Sequence, residues 1–312
     1  MTTSREQLET LRTDVGVVER CGRALVTVSG PDALSFLQGI VSQDLAPLGP
    51  GDSTHTLLLT PQGKLDTDIR LVRASDEEFW LDAEPGFGDR LVASLNRFRI
   101  RVKADVEDRS PQFRFLSVRG PRAEQFRPVA RGVRGVHVVP AYAGFDVVGP
   151  ADAVGAVIDA VREGGVPECG VDAYEALRIE EGVPRQGLDL DDKTIAQEAF
   201  LERDAVSFTK GCFLGQELVC RIDSRGHVNR FLRRLEMLDP HGAATRPPRG
   251  ADIVNNGTPV GTVTSVSPVD DLPWLALGYV RREVEPPAEV TVRWDGGETR
   301  AVVRAAPATT AS

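Results

Sequence analysis

Apolar residues change their period several times along this chain, and the changes divide it into short elements. Alternation with a period of two predicts strands at 16–19, 24–28, 53–60, 64–73 and 79–81. The turn Pro61-Gln62-Gly63 joins two of them into a hairpin. A period near 3.6 puts Ala33, Phe36, Leu37 and Ile40 on one helix face, opened by Gly30-Pro31-Asp32. The same period groups Phe87, Leu91, Leu95 and Phe98 over 86–98. Strand signals follow at 101–107 and 113–118, then a helix start at Gly120-Pro121, then strands at 133–139 and 145–148. A helix at 151–163 ends at Gly164-Gly165. After a joint at 167–171, Asp172 suits the N-cap of a helix that runs to Glu181 and is stopped by Gly182-Val183-Pro184.

Residues 185–209 read as a long irregular segment, and such segments are usually functional or disordered. Beyond Phe231 the pattern turns to short strands with glycine punctuation at 231–238, 252–254, 260–267, 275–280, 290–294 and 299–304. Six short strands in sequence predict a small β-barrel. The fold class is therefore α+β, not doubly wound α/β. The domain reading is a core over 1–230 with a subdomain joint near 150–171, a barrel over 231–306, and a disordered tail at 307–312.

Composition narrows the function. The 312 residues hold two or three domains' worth of core, and 41% hydrophobic with 27% charged residues is ordinary for a globular protein. A net charge of -9 supplies no basic surplus for phosphates, so nucleic acid is not an expected partner. The N-terminus is polar, without a signal or transit pattern, and no apolar run nears the roughly 20 residues of a membrane span. Cys21, Cys169, Cys212 and Cys220 form no CxxC, and His55, His137, His227 and His241 form no HxxxH. A zinc or cluster site held by this chain alone is not expected, and a reducing, cytoplasmic setting with free thiols is.

Candidate chemistry concentrates in SFTKGCFLGQELVCRIDSRGHVNR, residues 207–230. Lys210, Gly211, Cys212, Gly215, Gln216 and Glu217 lie within eight residues, a density that suggests the working edge of a pocket. Cys212 is either a small buried hydrophobe or a thiolate favoured by Lys210 and a helix starting near Leu214. Gly211 and Gly215 allow close backbone approach. Arg221, Arg225 and Arg230 suit either a solvated basic face or an acidic ligand tail. Cys169 and Cys220 sit among apolar neighbours and read as packing. Asp66 and Asp68 share one face of their strand, fitting a general base, a partner for a cationic substrate, or surface pairs with Lys64 and Arg70. Glu180 shares the helix face of Ala173, Ala176 and Leu177. An inward carboxylate needs either an arginine or a ligand with two parallel N–H donors, such as a pterin. Asp189, Asp191 and Asp192 lack the glycine and distal glutamate of a calcium loop.

KGCFLGQE closely resembles the signature of the YgfZ family of folate-binding proteins, relatives of the glycine-cleavage T-protein. FLQGIVSQDL (36–45), LLLTPQGKLDTDIRL (57–71), YEALRIEEGVPRQG (174–187) and RGHVNR (225–230) extend the likeness, as do PVGTVTSVSP and ALGYVRRE in the barrel. The resemblance implies a ring of α+β subdomains around a central folate pocket, closed by the barrel. It implies tetrahydrofolate or a one-carbon-loaded folate as cofactor, and iron–sulfur client or assembly proteins as partners. It assigns Cys212 and Lys210, with Asp68 and Asp66, to chemistry. Arg178, Glu180, Gly211, Gly215, Gln216, Glu217, Arg221 and Arg230 are assigned to the folate, with Glu180 as pterin anchor. Phe213 stands where tyrosine is more usual. The resulting expectation is a folate-dependent factor for iron–sulfur cluster assembly or repair. The competing one is a tetrahydrofolate-dependent aminomethyl- or methyltransferase using Asp66 or Asp68.

Overall fold

The computed structural model describes residues 2–238, 245–270 and 273–305, so the tail expectation at 307–312 lies outside the described residues. The chain opens with a helix that the polar N-terminus did not predict, α1 (Ser4–Thr13). Thr3 and Glu6 form a capping box at its start, and Leu8 and Leu11 are its only buried residues. β1 (Gly16–Glu19), β2 (Ala24–Ser29), α2 (Ala33–Ile40), β3 (Ser53–Leu59), β4 (Leu65–Arg73), β5 (Glu78–Ala83), α3 (Gly88–Phe98) and β6 (Asp105–Asp108) follow. β6 is thus shorter than the predicted 101–107.

Five of these strands make one sheet, in the order β3-β4-β5-β2-β6. β4 shows why the sheet has two unlike faces. Leu65, Thr67, Ile69 and Leu71 are buried, while Asp66, Asp68 and Arg70 alternate with them. On the apolar face, Phe36, Leu37 and Ile40 of α2 and Leu91 and Leu95 of α3 pack on Val26, Val28, Ile69, Leu71, Phe79 and Leu81. The other face carries charge and looks toward the centre of the molecule.

A second sheet has the order β1-β7-β9-β8, with β7 (Phe113–Arg119), β8 (His137–Ala141) and β9 (Gly144–Pro150). The helix expected after Gly120-Pro121 is a 3-10 turn at Ala123–Phe126 that continues as α4 (Arg127–Arg131). α5 (Ala151–Glu163) covers this sheet with Val154, Val157, Ile158 and Val161. α6 (Val171–Glu180) has its N-cap two residues earlier than predicted, at Gly170, with Asp172 in its first turn. α6 packs on α1 through Ala173, Ala176 and Leu177 against Leu8 and Leu11. Cys169 is buried in that cluster, and burial pushes its thiol up to about 11, so it is packing material as expected.

The segment after α6 is largely irregular but holds α7 (Glu202–Ala205), and α8 (Gln216–Arg225) follows the glycine-rich stretch. The barrel then closes in the order β10-β13-β12-β11-β14-β15. Its strands are β10 (Arg230–Met237), β11 (Asp252–Asn255), β12 (Thr258–Val266), β13 (Leu275–Arg281), β14 (Ala288–Trp294) and β15 (Gly297–Ala305). It is fastened to the core by Asp189, one of the acids with no role in the sequence reading. The buried Asp189 carboxylate accepts from Arg178 Nη1 (2.8 Å), Thr264 Oγ1 (2.5 Å), Ser265 Oγ (2.7 Å) and the Arg185 backbone N (3.1 Å).

The largest fully buried side chain is charged. Arg119 on β7 donates to Asp146 Oδ1 (2.6 Å) and to the Phe145 carbonyl (2.7 Å), and lies over the Tyr142 ring at 4.6 Å. Removing it leaves a buried carboxylate with less compensation. Arg119→Met should therefore cost on the order of 3 kcal/mol in urea unfolding. A loss under about 0.5 kcal/mol would mean the pair is not structural.

Candidate functional site

The two sheets, α6 and the segment after it enclose a central cavity of about 400 Å³. The charged face of the first sheet supplies His55, Asp68, Arg70 and Asp82. The second sheet supplies Tyr142 and Asp146, and α6 supplies Tyr174 and Arg178. Arg185, Leu201, Arg203 and Asp204 complete the wall from the irregular segment. That volume suits a small-molecule ligand.

Most of the wall is a web of paired ions. Arg23 binds Asp82 (2.7 Å) and Glu84, Arg20 reaches Glu84 (3.4 Å), and Arg185 Nε meets the other Glu84 oxygen (3.0 Å). Burial alone would push the Glu84 carboxyl up, but Arg23, Arg20 and Arg185 together hold it down at about 2. Arg70 (2.5 Å) and Arg119 both pair with Asp146, and they likewise outweigh burial and keep it well below the usual carboxylate range. For Asp82 burial wins over Arg23 and the carboxyl is raised. Arg20 lies over the Tyr174 ring at 4.0 Å and takes its hydroxyl as a hydrogen-bond acceptor.

Asp68 differs from these acids, since no guanidinium pairs with it among the described residues. Its partner is His55 Nε2 at 2.5 Å, across the β3–β4 hairpin. The Gln186 side chain clamps β4 beside it, accepting from Asp68 N (2.9 Å) and donating to the Asp66 carbonyl (2.8 Å). The carboxylate is thus aimed into the cavity by a fixed backbone and can meet a cation or a proton on a bound ligand. Asp66 lies on the same face, but Arg90 Nε binds it at 2.9 Å and it does not line the cavity. Geometry therefore separates two aspartates that alternation alone left equivalent.

Glu180 is placed differently from the inward pterin anchor expected of it. Tyr174 and Arg178, four residues apart, face the cavity, and Glu180 lies about 200° round the helix from Arg178. The apolar face that Glu180 shares is the one covered by α1, where Arg12 Nε pairs with it at 2.9 Å. The arginine alternative is the one realised.

The 207–230 stretch is likewise outside the cavity wall: Lys210, Gly211, Cys212, Gly215, Gln216, Glu217, Arg221 and Arg230 do not line it. Lys210 Nζ donates to the Val41 and Gln43 carbonyls, both at 2.9 Å, and burial pulls its pKa down to about 8 although Asp44 opposes this. Gly215 has φ +77, and a Cβ there would stand 2.4 Å from the Thr60 carbonyl oxygen. Its glycine is required by the β3–β4 turn, not by a ligand. Gln216 Oε1 accepts from Phe213 N (3.2 Å), and Phe213 is buried in the core. Arg230 forks onto Glu198 at 3.0 and 3.1 Å. Cys212, Gly211, Glu217 and Arg221 are exposed. The motif straps the hairpin that carries Asp68 and leaves one thiol at the surface.

The sequence reading missed His55, Arg20, Arg23, Glu84, Tyr142, Tyr174, Arg185, Arg203 and Asp204 as cavity residues. For His55 a signal existed, because pairing the hairpin through Pro61-Gln62-Gly63 sets it opposite Arg70 and diagonal to Asp68 on the same face.

A model of the GCVT N-terminal domain matches residues 1–127. The aminomethyltransferase of Symbiobacterium thermophilum is 28% identical over 309 residues, covering 88% of this chain and 80% of that protein. That of Nostoc sp. is 26% identical over 318 residues, covering 91% and 82%. The crystal structure of glycine cleavage system aminomethyltransferase T from Bartonella henselae superposes with a TM-score of 0.81 at 24% identity, over 97% of this chain and 89% of that one. The chain is thus similar to aminomethyltransferases along nearly its whole length and has their fold.

Two expectations follow from the site. Glu84 has a folded pKa below its ordinary 4.5, so its stabilising contribution is complete above about pH 4.5 and is lost as pH falls toward 2. The drop in urea-unfolding free energy between pH 6 and pH 3 should be smaller in Glu84→Gln than in the unaltered protein. Gly215→Ala should destabilise by about 2 kcal/mol, while Gly211→Ala, with nothing within 4 Å, should stay within about 0.5 kcal/mol.

Proposed function

We propose that this protein is a tetrahydrofolate-dependent one-carbon transferase of the aminomethyltransferase type, with the folate in the central cavity. The observation that carries the reading is a cavity of about 400 Å³ with the Asp68 carboxylate in its wall, at the centre of a fold shared with an aminomethyltransferase. Asp68, held by His55, serves as proton acceptor or electrostatic partner for a cationic one-carbon group. The paired N–H edge of the pterin needs a carboxylate, and Asp68 and Asp204, which line the cavity together with the arginine-paired Asp82, Glu84 and Asp146, are better placed for it than Glu180. Arg178 acts through Asp189 and Glu175, holding the barrel and the wall in place. A cytoplasmic location fits this role.

A second reading, iron–sulfur cluster assembly or repair as in the YgfZ family, draws on the exposed Cys212 beside Lys210. A single thiol holds no cluster, so partner proteins would supply the other ligands.

Titration with tetrahydrofolate, a folate-dependent transfer assay, and host iron–sulfur enzyme activities separate the two. For the transferase, Asp68→Asn should lower turnover by about 10²-fold or more, and Cys212→Ser should leave it unchanged. Intact folate binding with iron–sulfur activities lost in Cys212→Ser and retained in Asp68→Asn would install the second reading instead.

A further inference from the structure

Asp68 is bonded to an imidazole, and that imidazole also acts on a second acid of the cavity wall. His55 Nε2 lies 2.5 Å from Asp68 Oδ1. Asp204, from α7, lines the cavity beside them. Burial raises the Asp204 carboxyl, and the nearby His55 and Arg203 oppose this. A carboxylate raised in this way is the better proton acceptor.

The placement of Asp204 against His55 is built by the segment between α2 and β3. Gln43 donates from Nε2 to the Asp204 carbonyl (2.7 Å) and from its backbone N to Thr56 Oγ1 (3.0 Å). Ser42 Oγ donates to the Ala205 carbonyl (2.6 Å) and accepts from Leu57 N (2.9 Å). Two successive residues therefore stitch α7 to β3 on either side of His55. Lys210 holds the same segment through the Val41 and Gln43 carbonyls. The other charges around His55 have partners of their own. Arg70, opposite it on β4, pairs with Asp146, and Arg203 on α7 has the Glu202 carboxylate at 4.0 Å.

We propose that Asp68, His55 and Asp204 form a proton relay in the cavity wall, with His55 as a positioning residue that acts through Asp68. The inference rests on the transferase reading. When a ring nitrogen of tetrahydrofolate bonds to the carbon of an aminomethyl donor, the leaving group departs with its electron pair and the nitrogen sheds a proton. Asp68 takes that proton, and a ligand filling the cavity covers it from water. An imidazole can hold one proton toward Asp68 and release another. While Asp68 is ionised, the imidazolium is its counter-ion. Once Asp68 is protonated, the ring gives its second proton to Asp204. Asp204 is only partly buried and passes the proton to water. The ring then recovers the proton held by Asp68, so one proton enters and one leaves per turnover.

The test follows formation of methylene-tetrahydrofolate from tetrahydrofolate and an aminomethyl thioether across the pH range, with tetrahydrofolate titration alongside, on the full chain. His55→Gln keeps an amide donor for Asp68 but carries no proton. It should lower turnover by about 10²-fold, leave tetrahydrofolate affinity within about twofold, and regain about tenfold in added imidazole. Asp204→Asn should lower turnover by about tenfold with affinity again within about twofold. Full turnover in His55→Gln, or a loss that imidazole does not repair, overturns the relay alone. So does an Asp204→Asn protein that binds tetrahydrofolate more weakly with turnover and pH profile unchanged, since Asp204 would then hold the ligand and not its proton. No transfer by the unaltered protein overturns the transferase reading and the relay with it.

Discussion

The structure turns on charges that are buried together. Arg20 and Arg23 come from the β1–β2 connection, Arg70 from β4, Arg119 from β7, Asp146 from β9 and Glu84 from the end of β5. An ion buried without a partner costs far more than an exposed one, so each pair fixes the relation between the elements that supply it. Arg70 with Asp146 is the clearest case, because it ties the first sheet to the second across the cavity. The same pairs keep the cavity open. Collapsing it would strip the remaining water from ions that are already partly desolvated, whereas an apolar wall would gain by closing.

The barrel completes the enclosure through equally specific contacts. Asp189 gathers donors from α6, from the 183–190 turn and from β12. Arg234 of β10 donates to the Glu180 carbonyl at the C-terminal end of α6, where a cation is favoured. Arg230 forks onto Glu198. The long irregular segment is thereby clamped between barrel and core, and a segment with little regular structure becomes a rigid wall of the cavity. Leu201, Arg203 and Asp204 owe their positions in its wall to that clamping.

Much of the architecture was legible in the chain. The strands that became β1, β2, β4 and β5, the helices α2, α3 and α5, and a six-strand barrel all followed from period and punctuation. α1 was not, because only Leu8 and Leu11 mark its buried face and its signal is the Thr3–Glu6 cap. The site was read less well. KGCFLGQE drew attention as a pocket edge because reactive and flexible residue types crowd there. Its Gly215 answers to the Thr60 carbonyl, its Lys210 to the carbonyls of Val41 and Gln43, and its Phe213 to the core. Glu180 was rightly expected on a packed helix face, yet the face is packed by α1 and not by the cavity.

The sequence by itself determined which residues share a face. Alternation in β4 put Asp66, Asp68 and Arg70 together, opposite Leu65, Ile69 and Leu71, whatever the rest of the chain did. Helical spacing put Tyr174 with Arg178 in the same way. Only the tertiary structure decided which of these faces borders an empty space and which meets a partner. Asp66 and Asp68 are equivalent along the strand, but one is met by Arg90 from α3 and the other by His55 and the cavity. Periodicity is local and set by backbone geometry, whereas a cavity is made by elements distant in sequence whose packing leaves a volume unfilled.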